Sequence, residues 1–404
     1  MLFRSLKNFV EPKLRRRAAN DLELPDCHLG FYNSLVVFDH QLGRTWIVAT
    51  GLAADGSRTD ERAQTQANFW QSHLITEPVD VMRVACCVSE DADHATHAIP
   101  NTQHATRNMS VGVRWESSLT RAEFLSAVET AQRYIRAGDI YQVNITQRLS
   151  APWTADAWDL FRRLMDVSPA PCAAFVDCGE FQLASSSPEL FLRLSGAHIQ
   201  TRPIKGTRPR SPDATRDAQL AYELQTSAKE QAELVMITDL LRNDLGRVCE
   251  FGSVQVPDLL RLEKFAQVQH LVSTVEGRLR ADVTHLAALA SCFPGGSITG
   301  APKFRAMEII DELEPVVRGP YCGALGYLGF NRESQLSIII RTAICKEGVA
   351  YFPVGAGIVA DSDPAAEYEE TLAKARGFRA ALEAAGNHTD TVLEPQIGQP
   401  QRSE

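Results

Sequence analysis

What this chain lacks narrows its function before anything present in it is read. No run of about 18 apolar residues occurs, so no segment is expected to cross a membrane as a helix. The start, Met1 to Val10, is too short in apolar residues for a secretory leader, and Arg15-Arg-Arg17 reads as a poorly ordered basic terminus. The 9 cysteines include no Cys-x-x-Cys pair and are irregularly spaced, which argues against a zinc site or a disulfide framework. Reduced thiols in a cytoplasmic protein are the expectation. Basic excess is missing too: 41 Lys and Arg stand against 50 Asp and Glu, and a net charge of −9 argues against general nucleic-acid binding. There is no internal repeat. Nor is there a P-loop, because Gly300 is followed by Ala-Pro where Lys-Ser/Thr is required.

What is there is ordinary globular composition: 404 residues, 44% hydrophobic and 23% charged, enough for one large domain or two smaller ones. Residues 31–50 read as a hairpin, two β-branched and aromatic runs around a Gln-Leu-Gly-Arg turn. Residues 88–112, rich in Asp, His, Asn, Thr and Ser, read as a linker or mobile loop. A capping box at Thr120-x-x-Glu123 opens a helix whose apolar stripe is Phe124, Val128, Ala131 and Ile135, and Gly138 ends it. Strands are expected at 140–149, 172–178, 181–186, 190–194, 197–202, 323–330, 336–344 and 349–354. Helices are expected over 217–245 and from Ser362-Asp-Pro364 to about Ala385. Paired antiparallel strands with helices between them indicate an α+β fold. The organisation expected is a shortened N-terminal region over 1–112, a catalytic domain over 113–385 and a disordered tail over 386–404.

Several constellations have the residue types that chemistry needs. Glu230 and Glu233 share one helix, Glu367 and Glu370 another, each pair at i, i+3 and so on one face. If the helices converge, these carboxylates suit Mg²⁺; if not, they are solvated faces, with Glu370 and Lys374 an exposed pair. The run Phe293-Pro-Gly-Gly-Ser-Ile-Thr-Gly-Ala-Pro-Lys303 feeds a helix N-terminus and fits either an anion-binding turn or a purely structural one. Two glycines in Val354-Gly-Ala-Gly-Ile-Val359 offer backbone amides to a carboxylate, or mark close packing. Arg341 ends an apolar strand, where a cation needs an anionic partner, from a ligand or from within the protein. Glu189 precedes an apolar strand and is either a buried general acid or a strand-edge charge. His270 lies in a hydrophobic run, as a core residue or a ligand contact. Lys205, in Thr201-Arg-Pro-Ile-Lys-Gly-Thr-Arg208, reads as a lysine in a tight turn, a place where desolvation would free its amine for attack.

Taken together these blocks resemble the chorismate-utilising enzymes, the family of anthranilate synthase component I, aminodeoxychorismate synthase component I and the isochorismate and salicylate synthases. The resemblance spans about residues 115–383. It rests on Gly138-Asp-Ile-Tyr-Gln-Val-Asn, Ser186-Ser-Pro-Glu-Leu-Phe, Pro203-Ile-Lys-Gly-Thr, Asp239-Leu-Leu-Arg-Asn-Asp-Leu-Gly, Pro294-Gly-Gly-Ser-Ile-Thr-Gly-Ala-Pro-Lys and Gly355-Ala-Gly-Ile-Val-Ala-Asp-Ser. It implies a single large α+β domain of two packed antiparallel sheets with helices outside. It implies chorismate as substrate and Mg²⁺ held by Glu233 and Glu370, with Glu230 and Glu367 close behind. Arg341, Tyr327, Gly355, Gly357, Lys374, Thr299, Gly300 and His270 would form the substrate pocket.

The same resemblance makes Lys205 decisive. Anthranilate synthases resemble Pro-Ile-Ala-Gly-Thr at this block, whereas aminodeoxychorismate synthases resemble Pro-Ile-Lys-Gly-Thr. The implied chemistry has Glu189 protonate the C4 hydroxyl while Lys205 attacks C2, after which ammonia enters at C4 to give 4-amino-4-deoxychorismate, a precursor of 4-aminobenzoate and folate. No Gly-x-Cys-x-Gly glutaminase nucleophile occurs here, so ammonia is expected from a separate glutaminase subunit. Anthranilate synthesis, or a weakly active chorismate-binding paralogue, are the alternatives. The family's longer N-terminal region is only partly recognisable, from about Leu24, so either the start is truncated or the chain has diverged there, and tryptophan feedback is not expected.

Overall fold

The computed structural model describes residues 17–40, 42–75, 115–265 and 268–383. In chain order the elements are β1 (Ser34–Asp39), β2 (Arg44–Ala49), α1 (Asp60–Ile75), β3 (Glu116–Ser117), α2 (Arg121–Arg136), β4 (Gln142–Pro152) and α3 (Ala157–Val167). There follow β5 (Cys172–Asp177), β6 (Gln182–Ser187), β7 (Leu190–Ser195), β8 (His198–Arg202), β9 (Ile204–Pro209), α4 (Ala214–Gln225) and α5 (Ala228–Gly246). Next come β10 (Gln255–Lys264), β11 (Val268–Arg278), α6 (His285–Cys292), β12 (Gly300–Ala301) and α7 (Lys303–Leu313). The chain continues through β13 (Ala324–Leu328), β14 (Glu333–Ile338), β15 (Thr342–Lys346), β16 (Val349–Ile358), α8 (Pro364–Lys374) and α9 (Arg376–Glu383).

Two antiparallel sheets carry the fold. The first runs β10-β11-β8-β7-β14-β13 with β9 also on β11; the second runs β12-β4-β16-β15-β6-β5 with β3 on β4. Phe181, Leu183, Leu325, Ile339 and Ile344 form a buried cluster joining them, and Leu22 and Leu24 of the N-terminal arm pack into it. Helices α5 and α6 cover the first sheet through Ile237, Leu241, Leu245 and Leu289 against Phe191, Leu194 and Val275. Helices α3 and α9 cover the second through Leu160, Leu164 and Phe378 against Ala184 and Phe352, while α2 and α7 pack on β4 and β16. This is the expected α+β sandwich in a single domain. Among the described residues no helix is long and apolar enough to cross a membrane.

The expected capping box is present: Thr120 Oγ1 accepts from the Glu123 amide and the Glu123 carboxylate accepts from the Thr120 amide. The hairpin of residues 31–50 forms as β1 and β2, with Gln41 of its turn outside the described residues. The linker over 88–112, the basic terminus at Arg15–Arg16 and the tail from 386 also lie outside them. Three expectations change. The helix over 217–245 is two helices, α4 and α5, broken at Thr226-Ser227, where Ser227 Oγ accepts from the Glu230 amide and caps the second. The final helix divides at Ala375. The strand over 336–344 is the end of β14 and the start of β15, in different sheets, because Arg341 takes a left-handed φ of 50° and turns the chain between them.

That crossover has a twin. The chain also passes from the second sheet to the first between β6 and β7, through Pro188-Glu189. The two crossovers are stitched together: the Ile338 amide donates to the Glu189 carbonyl at 3.1 Å, the Ser186 amide to the Arg341 carbonyl at 3.0 Å, and Ser187 Oγ to the Ile338 carbonyl at 2.6 Å. Glu189 and Arg341 are therefore neighbours by topology, both on backbone that leaves one sheet for the other.

Candidate active site

Lys205 does not sit in a tight turn. It lies in β9, paired opposite Leu271 of β11, and the register slips between His270 and Leu271. Gly206 takes φ +68°, the conformation a bulge of this kind needs, and a Cβ there would press on Leu224 and the Glu230 carboxylate. Pro203 interrupts the run from β8 into β9, and its carbonyl accepts from the Ser273 amide at 3.2 Å. The result is a kinked strand that aims Lys205 toward α5. Its Nζ stands 3.7 Å from Glu233 Oε2.

The second sheet approaches from the other side. At Gly357 of β16 a Cβ would collide with the carboxamide of Gln142 and stand 3.3 Å from Lys205 Nζ. Glycine here is thus a requirement of close approach. Gly355 is constrained similarly, since a Cβ would meet Thr146 and the Ile145 carbonyl, and its own carbonyl accepts from Lys374 Nζ at 2.7 Å. Gly300 takes φ +145°, and a Cβ on it would run into the Gln142 carbonyl. Beside it Thr299 is fully buried, its hydroxyl donating to the Gly295 carbonyl at 2.9 Å and its carbonyl accepting from the Asn144 amide. The Gly-rich run is therefore a tightly packed loop in which Ser297 alone, between Cys292 and Ala301, is not buried.

Glu189 is only 5% exposed, so it is not a strand-edge charge. Burial pushes its carboxyl up to about 7, opposed by a hydrogen bond from Ser297 and by the charge of Lys205. Much of it carries a proton at neutral pH, the state a general acid needs. His270 is pushed down to about 4, first by burial and further by the nearby charge of Arg341, so its ring is neutral. Its Nδ1 lies 2.9 Å from Thr207 Oγ1 and 3.4 Å from the Gly206 carbonyl. Burial also lowers Arg341, and its charge neighbour is the buried Tyr321. Among the described residues no carboxylate pairs with its guanidinium, which leaves that cation available to a ligand anion.

The two glutamate-bearing helices do converge. Glu233 on α5 and Glu370 on α8 share Lys205 and Lys229 as charge neighbours, and Lys229 Nζ lies 3.1 Å from Glu367 Oε1. Glu370 pairs with Lys374 at 2.8 Å and Glu230 with Arg208 at 3.6 Å. Burial raises Glu233 above the ordinary carboxylate range despite the lysines. Burial also pushes Glu370 up, but Lys374, Lys205 and Lys229 together outweigh it and hold the group low. Among the described residues no three acidic, His or Cys side chains stand ready as a metal-binding group. The donors nonetheless fit a hard cation such as Mg²⁺, which takes one or two carboxylates and completes its shell with water and substrate oxygens.

One expected residue lies elsewhere. Tyr327 is 58% exposed on β13, the edge strand of the first sheet, three strands from β8 and so about 14 Å away across the sheet. The tyrosine beside Arg341 is Tyr321, held just before Cys322, whose left-handed φ of 66° turns the chain back so that its amide donates to the Ile339 carbonyl. Both tyrosines stand in one short stretch, and nothing in local pattern separates them. Gln142, Lys229 and Ser297 were likewise not singled out, because their significance depends on partners far away in sequence.

The family model for chorismate binding enzymes matches residues 5–380. The chain belongs to the chorismate binding enzyme family. Among its relatives, anthranilate synthase component 1 of Thermus thermophilus is 42% identical over 366 residues, 91% of this chain and 73% of that protein. Aminodeoxychorismate synthase component 1 of Salmonella typhimurium is 40% identical over 368 residues, 91% of this chain and 72% of that one. The crystal structure of anthranilate synthase component I from Streptococcus pneumoniae superposes with a TM-score of 0.77 at 33% identity, covering 92% of this chain and 78% of the other. The chorismate-utilising family and the sandwich fold are thereby shown, and relatives with either product name stand at nearly equal identity.

Proposed function

We propose that this protein aminates chorismate at C4, giving 4-amino-4-deoxychorismate. The observation that carries the reading is Lys205: an amine packed against Gly357 and Glu233, with the buried acid Glu189 as a charge neighbour. In this mechanism the ammonium of Lys205 gives a proton to the facing Glu233 carboxylate, and its nitrogen bonds to C2 while the C4–O bond breaks and the ring double bonds shift. Glu189 gives its proton to the departing oxygen, which leaves as water. Ammonia then bonds to C4 as the C2–N bond breaks, returning Lys205. The enolpyruvyl group stays attached throughout.

Arg341 would take a substrate carboxylate and Tyr321 would flank it, with the neutral His270 lining the same wall. The backbone of Gly355 and Gly357 would border the substrate, with Thr146, Gln142 and Lys205 packed where a Cβ would stand. Glu233 and Glu370, with Glu230 and Glu367 behind them, would hold Mg²⁺, which when bound supplies a positive charge for the ring carboxylate. Ammonia would come from a separate glutaminase chain in the cytoplasm, and the product would serve 4-aminobenzoate and folate synthesis.

Anthranilate synthesis is the second reading, favoured by the relatives that bear that name at similar identity. Incubation with chorismate, ammonium and Mg²⁺, with mass spectrometry of the product, separates the two. The C4 reading expects a product that retains the enolpyruvyl group. A fluorescent product lacking pyruvate replaces it with anthranilate synthesis, and binding without turnover replaces it with a chorismate-binding paralogue.

A further inference from the structure

Lys229 is a charged group in the cleft that the mechanism does not use. It stands on the first turn of α5, one residue before Glu230 and four before Glu233. Its ammonium reaches across to α8, 3.1 Å from Glu367 Oε1, and the charges of Glu233 and Glu370 act on it as well. Three of the four carboxylates assigned to the metal thus share this one lysine. Glu367 is 3% exposed, is further fixed by Ser362 Oγ at 2.7 Å, and would be costly to leave buried without a cation. The lysine itself is held differently. Its side chain is 48% exposed, so its stem can swing into water while its charge stays hydrated.

We propose that Lys229 is the resident counter-ion of this acidic cleft, a cation that holds the carboxylates together when no metal is bound and that Mg²⁺ must displace. The inference rests on the metal assignment proposed above. An ammonium within hydrogen-bond reach of Glu367 and a dication drawing on Glu233, Glu370 and Glu367 compete for the same negative charge. The lysine therefore weakens metal binding, and it keeps α5 and α8 from being pushed apart by like charges in the metal-free protein.

The test is Mg²⁺ titration of the full chain by calorimetry, alongside thermal melting with and without the metal. Lys229→Gln is expected to bind Mg²⁺ about three- to fivefold more tightly than wild type, the change given by losing one half-exposed competing ion pair. It should also melt lower than wild type without metal and gain more from Mg²⁺. Lys229→Arg, which keeps the charge, should bind like wild type. Unchanged or weaker binding by Lys229→Gln, with wild type still binding, overturns the counter-ion role alone. If neither protein binds Mg²⁺, the metal assignment falls and takes this inference with it.

Discussion

Lys205 Nζ and Glu233 Oε2 face each other across 3.7 Å, one on a kinked strand of the first sheet, the other on the helix that covers it. The proposed nucleophile and the proposed metal side of the site are therefore coupled, and Gly357 of the second sheet closes the space behind the amine. Lys205→Ala removes the only atom in the proposed mechanism that can bond to C2. Formation of the C4 product should fall by at least about a hundredfold, while chorismate binding changes far less. Denaturing mass spectrometry of wild type quenched during turnover should show a covalent increment that the variant lacks. Unimpaired C4 amination by Lys205→Ala would remove the covalent role.

Glu189 gives a prediction with two signs. The carboxyl sits near 7 when folded, against about 4.5 in the ordinary range, chiefly because it is buried. A group raised in this way binds its proton more tightly in the folded state. Its contribution is fully present below about pH 4.5 and is lost as pH climbs through about 7. Over that interval the cost approaches about 3 kcal/mol, at 1.36 kcal/mol per unit. Glu189→Gln should therefore resist urea better than wild type at pH 8 and show little advantage at pH 4.5. The same change should lower kcat by about 10²- to 10⁴-fold, the usual weight of a general acid, and wild-type kcat should decline above about pH 7. Equal stability at pH 8 would contradict the buried, protonated acid.

How much of this was legible in the sequence depended on whether the signal was local. The Thr120–Glu123 capping box and strands β4 to β8, β13 and β16 were readable, because capping and alternation are properties of neighbouring residues. The split of 336–344 was not. Ile338, Ile339 and Ile340 form one apolar run, and only tertiary packing decides that Ile339 belongs to the cluster between the sheets. Strands β10 and β11 and helices α1, α3 and α6 were missed as elements. Tyr327 came only from the resemblance to a family, and that route names a motif more reliably than a residue, as the pair Tyr321 and Tyr327 shows. Glu189 and Arg341 lie far apart in sequence, and only the paired crossovers make them neighbours.

Arg341 carries a buried cation without an acidic partner among the described residues, and burial lowers its pKa. A charge in that state costs stability unless a ligand anion satisfies it. Arg341→Met should therefore melt at or above the wild-type temperature. It should also raise KM for chorismate about 30- to 150-fold, the worth of charge-assisted hydrogen bonds of roughly 2–3 kcal/mol. Chorismate should raise the melting temperature of wild type and leave that of the variant almost unchanged. A variant that melts well below wild type in the absence of substrate would show an internal role for the guanidinium instead.

Arg318 behaves oppositely, because its charge is satisfied from within. Its guanidinium is bonded to Glu314, with Nε 2.8 Å from Oε2, and both side chains are buried. It also donates to the carbonyls of Ile298 at 3.0 Å and Asn144 at 2.6 Å, while Glu314 accepts from the Thr146 amide at 3.1 Å. One ion pair thus ties β4, the Gly-rich loop and the segment leading into Tyr321. Arg318→Met strands the Glu314 carboxylate and two carbonyls, and should cost about 3–5 kcal/mol in urea denaturation. Adding Glu314→Gln removes the stranded charge and should recover part of that loss, since the neutral pair no longer buries an uncompensated ion. A single-variant loss below about 1 kcal/mol would mean that water reaches Glu314 and that the loop is held by packing alone.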